Sequence, residues 1–305
     1  MKVIHDKTGE YPDALNNYYF YNLYNDNSQE EILFQGYNTS INENLKLKYK
    51  DYKRKIYLNL EAPCAFTSTS NAISSQEYFD KIYTICPYTA DWLNKDKKKY
   101  FPIAFPMNIK YLNSVIKDEN KMFDVIYQGN ITNQEQENII NLLPEFKYIF
   151  TTLQTHRLQT HFNIPTISKW KLLKQSKINI TINACPINDY HVNNIKTYKN
   201  WNDNIAFSNL QDYYIPQFKS RVIEAAACKT LNLIKYDTWN VMEYWFNKDE
   251  FIYWKSIEEL KKLIIDITLN YNNYTSIIDK AYNKVLNYDS EVIFNKIKDR
   301  DERVA

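Results

Sequence analysis

The sequence predicts an α/β protein built from two Rossmann-like units that face each other across a cleft. Three observations carry this. Short apolar runs rich in Ile, Tyr, Phe and Val recur along 305 residues, and their continuity suits strands buried on both faces of a parallel sheet. Helix-compatible segments lie between them, and strands alternating with helices define an α/β fold. The alternation stalls once, over the mostly polar stretch 106–122, and restarts at FDVIYQGN.

The first half supplies strands at 2–6, 30–38, 54–61, 81–88 and 100–106. The second supplies them at 123–130, 147–152, 177–183, 230–236 and 250–254. Helices are expected at 74–80, 88–95, 133–143, 168–176, 217–228 and 238–247, then continuously in three segments from 256 to 300. The stall sets a domain boundary near 118, with an acceptor-side unit over 1–118 and a ligand-binding unit over 119–305. The long irregular segment 184–215 reads either as a functional lid or as a surface excursion, since loops of that length are uncommon in compact domains.

Composition excludes several classes. The net charge of +2 and the near-average 44% hydrophobic and 24% charged content carry no polyanion-binding signature, so nucleic acid is not an expected partner. No run reaches the ~18 apolar residues of a membrane span. The N-terminal residues lack the apolar core of a secretion signal, and a cytoplasmic location is expected. Cys64, Cys86, Cys185 and Cys228 have no paired spacing, so neither zinc nor a disulfide framework is indicated. His156 and His161 stand five apart, the wrong interval for a metal pair on one helix face. Asp299-Arg300-Asp301 sits at the far C-terminus rather than after a central strand. No metal site is expected.

One stretch carries an electrostatic conflict. In PQFKSRVIEAAACKTLNLIKYD, residues 216–237, a helix opens with Lys219 and Arg221 in its first turn, with Pro216 at its start. Cations there oppose the helix dipole. An anion bound by the free amides and the two cations resolves the conflict, and the Arg fork matches phosphate oxygens. Glu224 follows three residues after Arg221, on the same face, where it can accept hydrogen bonds from ribose hydroxyls. The alternative is a plain Arg221–Glu224 surface pair.

The segment FKSRVIEAAACKTLNLIKYDTWNVMEYWF, followed by EFIYWKSIEELKKLI, resembles the C-terminal half of GT-B glycosyltransferases of the "glycosyl transferases group 1" type over roughly 216–290. That resemblance implies a GT-B fold and transfer of a sugar from a nucleotide-diphosphate sugar to an acceptor hydroxyl on a glycan, lipid or other glycoconjugate. With Lys219, Arg221 and the helix amides to stabilise the leaving diphosphate, no bound metal or other cofactor is expected to take part. Glu224 would hold the nucleotide ribose, while Lys219 and Arg221 would face the pyrophosphate. Gly129, one of only three glycines, would let the loop after its strand approach the diphosphate together with Asn130.

The sequence departs from that pattern where Pro216 replaces a frequent Glu and Lys229 replaces the Gly after Ala-Cys. Thr238-Trp239-Asn240 replaces a Gly pair, which makes Asn240 and Glu243 the matching donor-side candidates. Glu61, at a strand's carboxyl end, is a candidate general base towards the acceptor, and His191 in the long segment is a second catalytic candidate. A glycosyltransferase acting on modified DNA bases and a non-catalytic nucleotide-sugar-binding module stand as rival readings.

Overall fold

A computed structural model describes residues 1–5, 29–36, 41, 43–60, 76–88, 90, 94, 99–117, 119–186 and 214–299. Glu61, His191, Cys64 and most of the long segment, 187–213, lie outside the described residues. The chain divides into two compact units. The first comprises Met1–Asn108, Ala184–Phe218 and Tyr288–Ala305, and the second Ile109–Asn183 and Lys219–Asn287.

The first unit holds a parallel sheet of five strands in the order β1 (Lys2–His5), β2 (Glu31–Gly36), β3 (Arg54–Asn59), β4 (Lys81–Thr84) and β5 (Tyr100–Pro102). Ile32, Leu33, Phe34, Ile56, Tyr57, Leu58, Ile82 and Tyr83 are completely buried. Neighbouring residues on one strand point to opposite faces, so burial of consecutive residues means that both faces are covered. A short helix, α1 (Glu43–Lys48), follows β2.

The second unit starts with α2 (Ile109–Val115), which buries Ile109 and Leu112. The polar stall in the sequence therefore contains a helix, whose two buried apolar residues are too few to show a period. A parallel sheet follows, made of β6 (Phe123–Gln128), β7 (Tyr148–Thr152), β8 (His161–Phe162), β9 (Ser176–Thr181), β12 (Leu231–Lys235) and β13 (Ile252–Trp254). Its spatial order is β13-β12-β9-β6-β7-β8. Counted from β6 this is the doubly wound order 3-2-1-4-5-6. The chain runs outward from β6 to β8, then returns to the other side of β6 at β9.

Two short strands, β10 (Ala184–Pro186) and β11 (Tyr214–Pro216), pair antiparallel and join the ends of the long segment. Pro216 thus ends a strand rather than opening a helix. A proline is tolerated in such a strand because a two-stranded pair leaves one edge of each strand without ladder bonds. Cys185 is disulfide-bonded, contrary to the sequence expectation, whereas Cys86 and Cys228 are free thiols.

Helices cover the second sheet on both sides. One face packs Val125, Tyr127, Phe150, Ile178, Ile180, Leu231 and Leu233 against α3 (Gln134–Leu142), α6 (Ile257–Leu269) and Ile278 of α7 (Thr275–Val285). Helix α3 starts at Asn133, whose Oδ1 accepts from Gln136 N at 2.8 Å. Helix α6 starts at Ser256, whose Oγ accepts from Glu259 N at 3.2 Å. These caps satisfy amides that have no partner within the helix.

The other face meets α4 (Thr166–Lys174) and α5 (Ser220–Ala227), which contribute buried Trp170, Leu173, Val222 and Ala226. Polar side chains fix α5 there. Asn179 Nδ2 donates to Thr181 Oγ1 and Asn232 Oδ1, and Asn232 Nδ2 donates to the Val222 carbonyl of α5 at 3.1 Å. The last helix, α8 (Ser290–Lys298), belongs to the first unit, where Ser290 N donates to the Met107 carbonyl at 2.9 Å.

Candidate nucleotide-binding site

In an open parallel sheet, ligands bind beyond the carboxyl ends of the strands at the point where the order reverses. Here that point lies between β6 and β9. On the β6 side of that point lies a cavity of about 350 Å³, lined by residues at and just after the carboxyl ends of β6, β7 and β8, by Lys169 of α4 and by the start of α5.

The cavity is assembled around Arg221. Its Nη1 donates to the Gln128 carbonyl at the end of β6, which lays the guanidinium against Gly129. Gly129 has φ +129°, and a Cβ built there would come within 2.5 Å of Arg221 Nη1 and 2.9 Å of Nη2. The glycine is needed twice over: for the backbone angle, which L residues rarely adopt, and for the space the guanidinium fills. Asn130 shapes the adjoining loop. Its Oδ1 accepts from Thr152 Oγ1 at 3.0 Å and from Leu153 N at 3.1 Å, tying the end of β6 to the end of β7.

One turn along α5 from Arg221, Glu224 is buried at 7% exposure. Its Oε1 accepts from Lys169 Nζ at 2.6 Å and from Trp170 Nε1 at 3.3 Å, both on α4. Oε2 is buried and accepts no hydrogen bond. A carboxylate oxygen left bare in a buried site carries a desolvation cost that a ligand donor would remove. Gln128, at 4% exposure, likewise has neither side-chain amide atom partnered.

Helix α5 begins at Ser220, later than the sequence pattern suggested, because Lys219 is extended (φ −95°, ψ 128°) and occupies the N-cap. Lysine has no side-chain acceptor to cap a helix. The cap is external: Asn183 Oδ1, after β9, accepts from Lys219 N at 3.1 Å. The amides of the first turn and the Arg221 guanidinium make the α5 end of the cavity electropositive.

Of the donor-side candidates, Gly129, Asn130, Arg221 and Glu224 line this one cavity, and Lys219 stands at its edge without lining it. Asn240 and Glu243 lie elsewhere. Asn240, in the left-handed conformation (φ 53°), precedes a short 3₁₀ turn over Val241–Tyr244, within which Glu243 Oε2 sits 3.3 Å from Lys248 Nζ. The left-handed angle is the one a glycine would supply, so Asn240 keeps the backbone shape where the resemblance called for a Gly pair. Lys229 does the same at φ 52°.

Beside Asn240, Asp237 Oδ1 accepts from Trp239 N and Val241 N while its buried Oδ2 has no partner. Burial pushes its carboxyl from 3.8 up to about 6 against the pull of those amides. Burial likewise pushes the Cys228 thiol up to about 12, which keeps it protonated and unreactive.

Lys169 and Trp170 were not legible as site residues. Lys169 is 55 positions from Glu224 in sequence, and nothing local distinguishes it from other helix lysines. Asn183, Thr151, Thr152, Asn163 and Ile164 were missed too. Each stands at or just after the carboxyl end of a strand, and the strand order alone makes that position significant.

No family model and no curated protein matches the sequence. Solved structures do. HepE of Anabaena in complex with UDP aligns with a TM-score of 0.56 at 10% identity, over 89% of this chain and 78% of that one. An alpha-glucosyltransferase in complex with UDP and a 13-mer DNA containing a HMU base gives 0.54 at 11% identity, over 88% and 79%. Sucrose-phosphate synthase of Thermosynechococcus elongatus gives 0.55 at 8% identity, over 88% and 72%. The fold is that of the GT-B glycosyltransferases.

Proposed function

We propose that this chain transfers a sugar from a nucleoside diphosphate sugar to an acceptor hydroxyl. The observation that carries the reading is one cavity with two complementary ends beside the reversal point of the sheet. Arg221 and the α5 amides form the cationic end, and Glu224, whose buried Oε2 has no partner, the carboxylate end. The first suits a diphosphate and the second a ribose hydroxyl. The solved relatives bound to UDP are consistent with a donor of this class.

In the reaction the bond between the sugar's anomeric carbon and the diphosphate oxygen breaks. The acceptor oxygen forms the new bond and gives up its proton. The nucleoside diphosphate leaves with the bonding electron pair. Arg221 and the first-turn amides stabilise that developing charge from fixed positions, which is the most effective use of a dipole in a partly dehydrated site. Lys169 and Trp170 hold Glu224 in the orientation that presents Oε2. Lys219, Asn240 and Glu243 remain proposed donor-side contacts, and Glu61 and His191 the proposed groups for the acceptor proton. Because a cation and helix amides supply the charge, the reading includes transfer without a bound metal.

The test is release of nucleoside diphosphate from UDP-, GDP- and ADP-sugars, with glycan acceptors and with DNA containing a modified base as separate arms. Acceptor-dependent release that persists in EDTA and falls at least tenfold in Arg221→Ala is expected. Release only with DNA would move the acceptor to a base. Nucleotide binding without release in any arm would make the chain a binding module.

A further inference from the structure

A second cavity, of about 180 Å³, lies at the opposite end of α5. It is lined by Asn113, Ile116, Lys117, Lys174, Ala227, Lys229 and Tyr282. Helix α5 contributes Ser220, Arg221 and Glu224 to the first cavity and Ala227 to the second, so the two linings come within about 4.5 Å of each other along the helix axis. The second cavity belongs wholly to the second compact unit, at the amino ends of β9 and β12.

Its polar lining is almost entirely donor. Three lysines line it, of which Lys174 is engaged elsewhere, and no carboxylate lines the cavity among the described residues. Lys174, at 5% exposure, donates to the Ile116 carbonyl at 2.8 Å. The Tyr282 hydroxyl accepts from Asn113 Nδ2 at 3.2 Å, which leaves its own proton to donate. Some lysines elsewhere are matched to acids, such as Lys177 with Asp124 and Lys235 with Glu135. Among the described residues, Lys117 and Lys229 form no ion pair.

Lys229 is informative for another reason. It occupies the left-handed position that ends α5, with Lys229 N donating to the Ala226 carbonyl and Thr230 N to the Ala225 carbonyl. That closing motif takes glycine by preference. A lysine there carries a backbone penalty that glycine would avoid, and an observed outlier of this kind points towards a role for its side chain. The side chain turns towards the cavity, its Nζ 4.9 Å from the centre of the Tyr282 ring. Stacking on an aromatic face holds a cation in place without neutralising it.

We infer that this cavity binds a phosphate-class oxyanion through Lys117, Lys229 and the Tyr282 hydroxyl, as a site separate from the nucleotide cavity. The ligand is a free phosphate or phosphomonoester, or a phosphate carried on a lipid headgroup. Tetrahedral oxyanions of that size fit the volume, and several cations converging on one anion are the ordinary means of holding them.

The test is thermal unfolding in inorganic phosphate at constant ionic strength, on the parent chain, on Arg221→Ala and on the double variant Lys117→Gln/Lys229→Gly. The glycine substitution relieves the left-handed backbone, so that variant is expected to fold. A saturable rise in Tm that survives Arg221→Ala and disappears in the double variant is the expected result. A rise unchanged in the double variant, lost in Arg221→Ala, or absent from the parent overturns the site. Cosedimentation with phosphatidic acid vesicles, measured against phosphatidylcholine vesicles, separates the two sources: binding lost in the double variant assigns a lipid phosphate, and phosphate binding without vesicle binding assigns a soluble one. The readout is independent of glycosyl transfer, so its failure leaves the proposed reaction standing.

Discussion

Gly129 and Arg221 form a single device. The glycine's φ of +129° and the guanidinium lying where a Cβ would go mean that neither position can change alone. Gly129→Ala is expected to cost about 1–3 kcal/mol of stability, the usual scale for backbone strain of this kind. It should also weaken nucleotide binding by pushing the guanidinium off the Gln128 carbonyl. Urea unfolding and a nucleotide titration on the same variant check both effects. Asp237 offers a separate residue-scale test. Its folded carboxyl is raised to about 6, so between roughly 4 and 6 the folded chain holds more protons than the unfolded one. Stability at this site is therefore lost as pH rises through that window. Asp237→Asn should raise the urea midpoint at pH 8, by about 1–2 kcal/mol in stability, and the gain should vanish near pH 4.

At the scale of elements, α5 is held by groups outside itself. Asn183 caps its first amide, Asn232 bonds the Val222 carbonyl, and the left-handed Lys229 closes its end. Asn183→Ala removes a side-chain cap on α5 and should cost about 1–2 kcal/mol, with a parallel loss of nucleotide affinity because the first-turn amides lose their position. Circular dichroism melts and binding on that variant test the link. The main strands were readable beforehand because each is an unbroken apolar run covered on both faces. β8, β10 and β11 are only two or three residues long and carry no period to read. Pro216 misled for a related reason. A proline fits a first helical turn and an edge strand equally well, and only the pairing with Ala184 decides between them. Within the site, scarcity made Gly129 visible and charge conflict made Arg221 visible. Lys169 and Trp170 reach Glu224 only through the packing of α4 on α5, which no local pattern records.

Across the whole molecule, two parallel sheets divide the chain, and the second follows the doubly wound order, with the cavity at the carboxyl ends of β6, β7 and β8 beside the reversal point. No described helix is long and apolar enough to cross a membrane. The most direct test of the account is a calorimetric titration of UDP, GDP, ADP and CMP into the parent chain, Arg221→Ala and Glu224→Gln. Binding of one nucleoside diphosphate is predicted, with each substitution weakening it about tenfold or more, as expected when a charged hydrogen bond worth roughly 1.5–3 kcal/mol is removed. Arg221→Ala should erase the preference for diphosphate over monophosphate, and Glu224→Gln the preference for ribose over deoxyribose. Binding unaffected by either substitution, or no binding to the parent at all, would contradict the site as described.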